Sequence, residues 1–102
     1  MSHELLDTSV LIEGRRGLTT ILNIVEYPPA VRECRVIYPT REEYLRAISI
    51  ALKLRKKGKP LPAIDVIIAA VALKRGLTVI TKDAHFEIVR EVEPELQLSI
   101  RK

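Results

Sequence analysis

Short apolar runs alternate with helix-patterned stretches along this chain. The runs at residues 3–6, 19–25, 35–38, 77–81 and 96–100 are rich in β-forming residues and predict strands. Between them, apolar residues recur every three or four positions, which is the period of an α-helix. Strands that alternate with helices build a parallel sheet covered by helices. The sequence therefore predicts one α/β domain over residues 1–102 with a mainly parallel central sheet.

Two long helices have clear start and stop signals. Thr40 and Glu43 have the spacing of a capping box, and Gly58 ends the helix that they open. A second helix follows Pro60 and Pro62 and ends at Gly76. The first helix carries on one face Tyr44, Leu45, Ile48, Ala51 and Leu52, and the second carries Ile64, Ile67, Ile68, Val71 and Ala72. Short helices are predicted at residues 10–13 and 83–89.

The amino-acid composition limits the class of protein and the compartment in which we expect it. Hydrophobic residues make up 47% of the chain, so a packed core can form. The single cysteine, Cys34, excludes an internal disulfide, and the longest apolar stretch, residues 66–73, is too short to cross a bilayer. We therefore expect a cytoplasmic protein without a membrane partner. The net charge of +4 favours an anionic partner such as nucleic acid, although a generally charged surface explains it equally well.

Three acidic residues follow predicted strands. Asp7 comes after Leu5-Leu6, Glu26 after Ile24-Val25, and Asp83 after the run that ends at Thr81. In an open parallel sheet, ligand sites form outside the carboxyl ends of the strands. These carboxylates are therefore expected to converge.

Asp65 lies one turn inside the helix that follows Pro62. Helical spacing puts it in line with Ile68 and Ala72, at the border of the apolar stripe. A buried carboxylate without a partner is costly. A metal ion would supply the positive charge that it needs.

Converging carboxylates repel one another until a hard cation neutralises them. Mg²⁺ prefers oxygen ligands, and Mn²⁺ can replace it. A cation held in this way activates water and stabilises charge on a phosphoryl oxygen, so metal-assisted hydrolysis of a phosphodiester is the reaction class that fits. Thr8 and Thr81 can orient a carboxylate. His85 can transfer a proton, although a solvated surface histidine is the favoured explanation of this residue.

Each of these residues also has a purely structural explanation. Asp7 and Asp83 precede helices and can cap them, and Asp65 can stabilise the positive end of its helix. Glu26 can be a solvated residue before a turn, and Thr81 a β-branched strand residue. Any one acid is explained in this way, whereas four in such positions favour a shared site.

Three motifs resemble the PIN domain, particularly the VapC type of bacterial and archaeal toxin–antitoxin systems. Residues 5–13 (LLDTSVLIE) resemble its opening motif, residues 64–76 its central helix, and residues 77–87 its strand-and-acid motif. The resemblance runs from residue 4 to residue 99. It implies a Rossmann-like α/β/α sandwich and a Mg²⁺- or Mn²⁺-dependent endoribonuclease. It also implies an RNA substrate, a cognate antitoxin and a homodimer.

By position, the resemblance assigns the metal site to Asp7, Glu26, Asp65 and Asp83, with Thr81 as a hydroxyl residue beside it. Asp7 and Asp83 are expected to be direct ligands, Asp65 a ligand directly or through water, and Glu26 the residue that orients the attacking water. Candidate phosphate contacts, for which solvated charge is the alternative role, are Arg15, Arg16 and Lys82.

The segment between Asp7 and Glu26 is shorter than its counterpart in the family, which usually carries helices that flank the groove. A non-catalytic PIN-fold module that binds RNA or a protein is therefore the alternative function. Phosphoaspartyl chemistry is a weaker alternative, because the third strand ends at Pro39, where that chemistry needs an aspartate.

Overall fold

A computed structural model describes residues 3–102 of the chain. Among these residues, no helix combines the length and apolar character needed to span a bilayer. In chain order the elements are β1 (Glu4–Leu6), α1 (Thr8–Ile12), β2 (Leu18–Thr20), α2 (Ile21–Glu26), a 3₁₀ helix (Pro28–Glu33), β3 (Arg35–Ile37), α3 (Arg41–Lys56), α4 (Ala63–Arg75), β4 (Thr78–Thr81), α5 (His85–Arg90) and β5 (Gln97–Ile100).

Every strand pairing within residues 3–102 is parallel, as the sequence predicted. β4 lies between β1 and the edge strand β5, and β2 pairs with β3. In the β1–β4 register, Leu5 lies opposite Val79 and Leu6 opposite Ile80. The Thr19 hydroxyl donates to the Leu6 carbonyl over 2.7 Å and joins β2 to β1.

Successive residues along β1, and likewise along β4, pack into different hydrophobic cores. Leu5 and Val79 belong to a large cluster with α3, α4 and α5, whereas Leu6 and Ile80 belong to a smaller one with α1, α2 and the 3₁₀ helix. Successive side chains of a strand point to opposite faces, so both faces of the sheet are covered. The predicted α/β/α sandwich is confirmed.

The strand predicted over residues 19–25 is wrong beyond Thr20. The chain turns there into α2, and a capping box starts this helix: the Asn23 N–H donates to the Thr20 hydroxyl, while the Thr20 N–H donates to the Asn23 side-chain oxygen. Capping of this kind overrides the β-forming tendency of the isoleucines and valine that follow. Glu26 therefore lies at the end of a helix rather than of a strand.

The apolar face predicted for α3 is mostly exposed, and only its Ala51 packs against the large core. The residues that α3 buries in the large core are Ala47, Ile50 and Leu54, on the other side of the helix. The exposed fractions of Tyr44, Leu45, Ile48 and Leu52 lie between 42% and 58%. We call these four residues the α3 outer face.

A buried ion pair ties the start of α3 to the end of α4. The Arg75 guanidinium donates to both carboxylate oxygens of Glu43, over 2.7 and 2.9 Å, and the Glu43 side chain is only 1% exposed. Burial acts to raise the pKa of Glu43, but Arg75 and the predicted capping contact with Thr40 outweigh it and lower that pKa. The pair fixes the helix that carries Asp65 in its first turn.

Replacement of Arg75 by Met is expected to lower the free energy of unfolding by about 3–5 kcal/mol, because Glu43 would remain as an unpaired buried charge. The matched control is Lys74→Met, which removes the neighbouring exposed pair with Glu42 and should cost about 0–1 kcal/mol. Urea denaturation at pH 7 measures both variants. Equal losses would contradict a special role for the buried pair.

Candidate active site

Asp7 stands where the chain leaves β1. Its N–H donates to the Ile80 carbonyl over 2.9 Å and so extends the β1–β4 ladder by one bond. The side chain makes no capping hydrogen bond to α1. Instead its Oδ2 accepts from the hydroxyls of Ser9 (3.0 Å) and Thr81 (2.8 Å). Asp7 is therefore the N-cap residue of α1, as its structural explanation expects, but its side chain does not cap the helix. The residue is 6% exposed and hydroxyl groups hold its carboxylate.

Thr81 connects two of the predicted acids. Its hydroxyl donates to Asp7 and accepts from the backbone N–H of Asp83 over 2.9 Å. The residue is completely buried at the end of β4. Its hydroxyl therefore links the Asp7 side chain to the backbone that carries Asp83, in addition to the strand role of the residue.

Asp65, Asp83 and His85 meet between the start of α4 and the start of α5. The His85 Nδ1 lies 3.3 Å from the Asp83 carboxylate and 3.6 Å from the Asp65 carboxylate. One candidate ligand atom from each of the three lies within 4.8 Å of the others. The Asp83 carboxylate also accepts a hydrogen bond from the His85 N–H over 2.9 Å. The helix predicted to begin at Asp83 begins two residues later, at His85.

Glu26 reaches this group from the end of α2. It lines a cavity of about 480 Å³ together with Asp65, Asp83 and His85. Its Oε1 accepts from the Thr8 hydroxyl over 2.6 Å. Glu26, Asp65 and Asp83 therefore line one cavity, and a helix rather than a strand delivers Glu26. Asp7 is not among the residues that line it and is linked to the Asp83 backbone through Thr81.

The site is short of positive charge. Glu4, Glu13 and Glu33 each pair with a lysine or arginine, as do several other glutamates. Within residues 3–102, by contrast, none of the four site acids has a lysine or arginine within ion-pair distance. Burial, followed by repulsion from Asp7 and Asp83, raises the pKa of Asp65 from 3.8 to about 6, and His85 offsets only part of this. A bound cation would relieve this repulsion.

The three basic residues suggested as phosphate contacts all have intramolecular partners. Arg15 pairs with Glu4, Arg16 pairs with Glu33 and donates to the Leu11 carbonyl, and Lys82 pairs with Glu13. These partners account for the charges, and a phosphate contact would have to replace them.

Two polar residues of the site were missed by the sequence reasoning. Ser9 donates to Asp7, and its hydroxyl accepts from the Lys82 N–H over 2.9 Å. Asn23 is completely buried and donates to Thr8. The only available signal for Asn23 was its capping-box spacing from Thr20.

A family model of the PIN domain matches residues 15–92 of the chain. VapBC-1 from nontypeable Haemophilus influenzae is similar in structure, with a TM-score of 0.76 and 20% identity over 95% of this chain and 96% of that chain. DNA-bound VapBC from Salmonella typhimurium has a TM-score of 0.80 and 19% identity over 98% of each chain. VapBC2 from Rickettsia felis, bound to a DNA fragment from the promoter, has a TM-score of 0.74 and 12% identity over 97% of this chain and 98% of that chain.

At these identities, the structural matches establish a shared fold. No curated protein sequence matches the chain at a significant level.

Replacement of Asp65 by Asn is expected to stabilise the metal-free protein at pH 7.5 by about 1–3 kcal/mol. The folded state raises the pKa of Asp65, so its ionised form costs folding free energy above about pH 6. That cost shrinks as the pH falls from about 6 towards 3.8, and it disappears only below 3.8, where the group is protonated in both states. The gain of the variant should therefore shrink between pH 6 and pH 4.

Thermal melts in EDTA across this pH range measure the effect. Glu87→Gln, which neutralises an exposed acid on α5, is the control and should show no such trend. A variant that is less stable than wild type at pH 7.5 in EDTA would show that Asp65 already has a sufficient partner in the protein.

Proposed function

The chain belongs to the PIN domain family, and we propose that residues 1–102 act as one domain, a Mg²⁺- or Mn²⁺-dependent endoribonuclease. One observation carries the proposal. Of the chain's three aspartates, Asp65 and Asp83 line one cavity with Glu26, and Asp7 lies near enough to raise the pKa of Asp65. They come from four separate segments, and no lysine or arginine within residues 3–102 compensates them.

The donor set fits a hard divalent cation, since it offers carboxylate oxygens and a raised pKa that a cation would relieve. Asp7, Asp65 and Asp83 would hold the cation, with Glu26 nearest to the water that attacks. When bound, the cation supplies charge that stabilises the negative phosphate oxygens and lowers the pKa of a water.

The chain's own residues prepare the acids for this reaction. The Thr8 hydroxyl occupies Oε1 of Glu26, which leaves Oε2 to accept a hydrogen bond from a water in the cavity. Thr81 and Ser9 hold Asp7 through Oδ2 and so fix the direction of its carboxylate. Glu26 thus orients the attacking water, and Asp7 presents a fixed ligand.

A partner protein belongs to the same proposal. The similar solved structures come from VapBC complexes, which supports a VapC-type toxin restrained by an antitoxin. An RNA substrate in turn implies a cytoplasmic location.

The α3 outer face supports a homodimer. Leu45, Ile48 and Leu52 recur at helical spacing and are all more than half exposed, and contiguous exposed apolar surface marks interaction sites. Glu42 lies in the first turn of α3, and Arg55 in the last. A second copy packed antiparallel on this face would set Glu42 of one protomer against Arg55 of the other, with Leu45 against Leu52.

Ile48→Glu is expected to convert the dimer to a monomer, because it places a charge at the centre of the apolar face. Light scattering coupled to gel filtration measures the mass of the particle. Val31→Glu changes another exposed apolar residue, outside α3, and should leave the dimer intact. A wild-type monomer at micromolar concentration would contradict the dimer and leave the face to another partner.

Purified wild type is expected to cleave a mixed RNA pool with Mg²⁺ or Mn²⁺ but not with EDTA. Asp7→Asn should reduce cleavage at least about 100-fold, because it removes a charged ligand that Thr81 and Ser9 hold in place. The control is Glu95→Gln, at an exposed acid between α5 and β5.

Equal cleavage by wild type and Asp7→Asn would assign the activity to a contaminant. A folded wild type with neither cleavage nor a metal-induced rise in melting temperature would favour the non-catalytic binding module instead.

A further inference from the structure

Asn23 contacts Asp7 directly and Glu26 through Thr8. It lies in α2, is completely buried, and sits between the Thr20 side chain and the acids. Because a buried amide without partners is costly, each of its polar atoms should be satisfied. Both are, and the identity of the partners determines which way the amide points.

One end of the amide is fixed by Thr20. The backbone N–H of Thr20 approaches the Asn23 Oδ1 at 3.4 Å, and the Thr20 hydroxyl donates to the same atom over 2.7 Å. The oxygen is the only acceptor of a side-chain amide, so it must face the Thr20 N–H, and the NH₂ group faces Thr8 and Asp7.

The NH₂ group of Asn23 makes two contacts. It donates to the Thr8 hydroxyl over 2.9 Å and approaches the Asp7 Oδ1 at 3.4 Å. Since Thr8 accepts this bond, its single proton is directed to the Glu26 carboxylate, 2.6 Å away. A directed chain of hydrogen bonds thus runs from Thr20 through Asn23 and Thr8 to Glu26.

We propose that Asn23 is a positioning residue, which sets the directions of the Asp7 and Glu26 carboxylates and thereby the metal affinity and turnover of the site. A helix-capping role would use only the Oδ1 of its side chain, whereas its NH₂ group contacts Thr8 and Asp7, outside the capping box. This inference rests on the proposed nuclease function.

The test compares Asn23→Leu, Thr8→Val and the double variant with wild type. Thr19→Val is the matched control, since it removes another completely buried hydroxyl, one that donates to the Leu6 carbonyl and touches no site acid. Calorimetric titration with Mn²⁺ gives metal affinity independently of cleavage. Steady-state cleavage of an RNA oligonucleotide separates kcat from KM.

Asn23→Leu and Thr8→Val should each lower kcat about 10–100-fold and weaken Mn²⁺ binding about tenfold, the range for groups that orient metal ligands. The KM for RNA should stay within about threefold of wild type. The double variant should be little worse than either single one, because both break the same chain of hydrogen bonds. Thr19→Val should keep wild-type affinity and kcat.

A folded Asn23→Leu variant with kcat and Mn²⁺ affinity within about twofold of wild type would overturn the positioning role. The nuclease proposal would still stand if the wild-type protein cleaves RNA. If Asn23→Leu does not fold, the half-buried Thr8→Val decides in the same way. Equal losses in Thr19→Val would also overturn it, as a general loss of rigidity. A wild type that neither binds Mn²⁺ nor cleaves RNA would end both proposals.

Discussion

The parallel pairing of β1 with β4 is the constraint on which the rest of the structure depends. It aligns Leu6 with Ile80 and extends by one bond to Asp7, so that residues more than seventy positions apart in the chain meet at one edge of the sheet. The same register sends Leu5 and Val79 into one core and Leu6 and Ile80 into the other. The packing of helices on both faces of the sheet and the position of Asp7 therefore depend on this one ladder of hydrogen bonds.

The site concentrates negative charge that the fold does not neutralise. Most of the other glutamates in residues 3–102 pair with a lysine or arginine, including the buried Glu43 with Arg75. At the sheet edge, the pKa of Asp65 is instead raised by burial and by its acidic neighbours. The ionised form of Asp65 therefore lowers the free energy of unfolding, and functional sites commonly carry such a cost. Hydroxyls and the Asn23 amide hold the acids in place without supplying charge.

Much of this arrangement was predictable from the sequence, because strand ends and helix caps have local signatures. Asp7, Asp65 and Asp83 lie next to such signals. Glu26 was expected after a strand, since isoleucine and valine precede it, but the Thr20–Asn23 capping box lies within that run and decides for a helix. The buried face of α3 was chosen wrongly, because the helix has apolar residues on two sides and only tertiary packing selects one. Asn23 was missed because its NH₂ contacts lie fifteen and sixteen residues away in the chain, at Thr8 and Asp7.

Diffraction at the manganese absorption edge from a crystal grown with Mn²⁺ shows whether the site acids bind the ion, because the anomalous signal locates manganese independently of the protein structure. We expect a peak among Asp7, Asp65 and Asp83, with carboxylate oxygens within about 2.0–2.6 Å, the range for hard divalent cations. We expect no such peak for Asp7→Asn crystals grown in the same way. A wild-type crystal with no peak at these acids, or with one only at other surface carboxylates, would contradict this expectation.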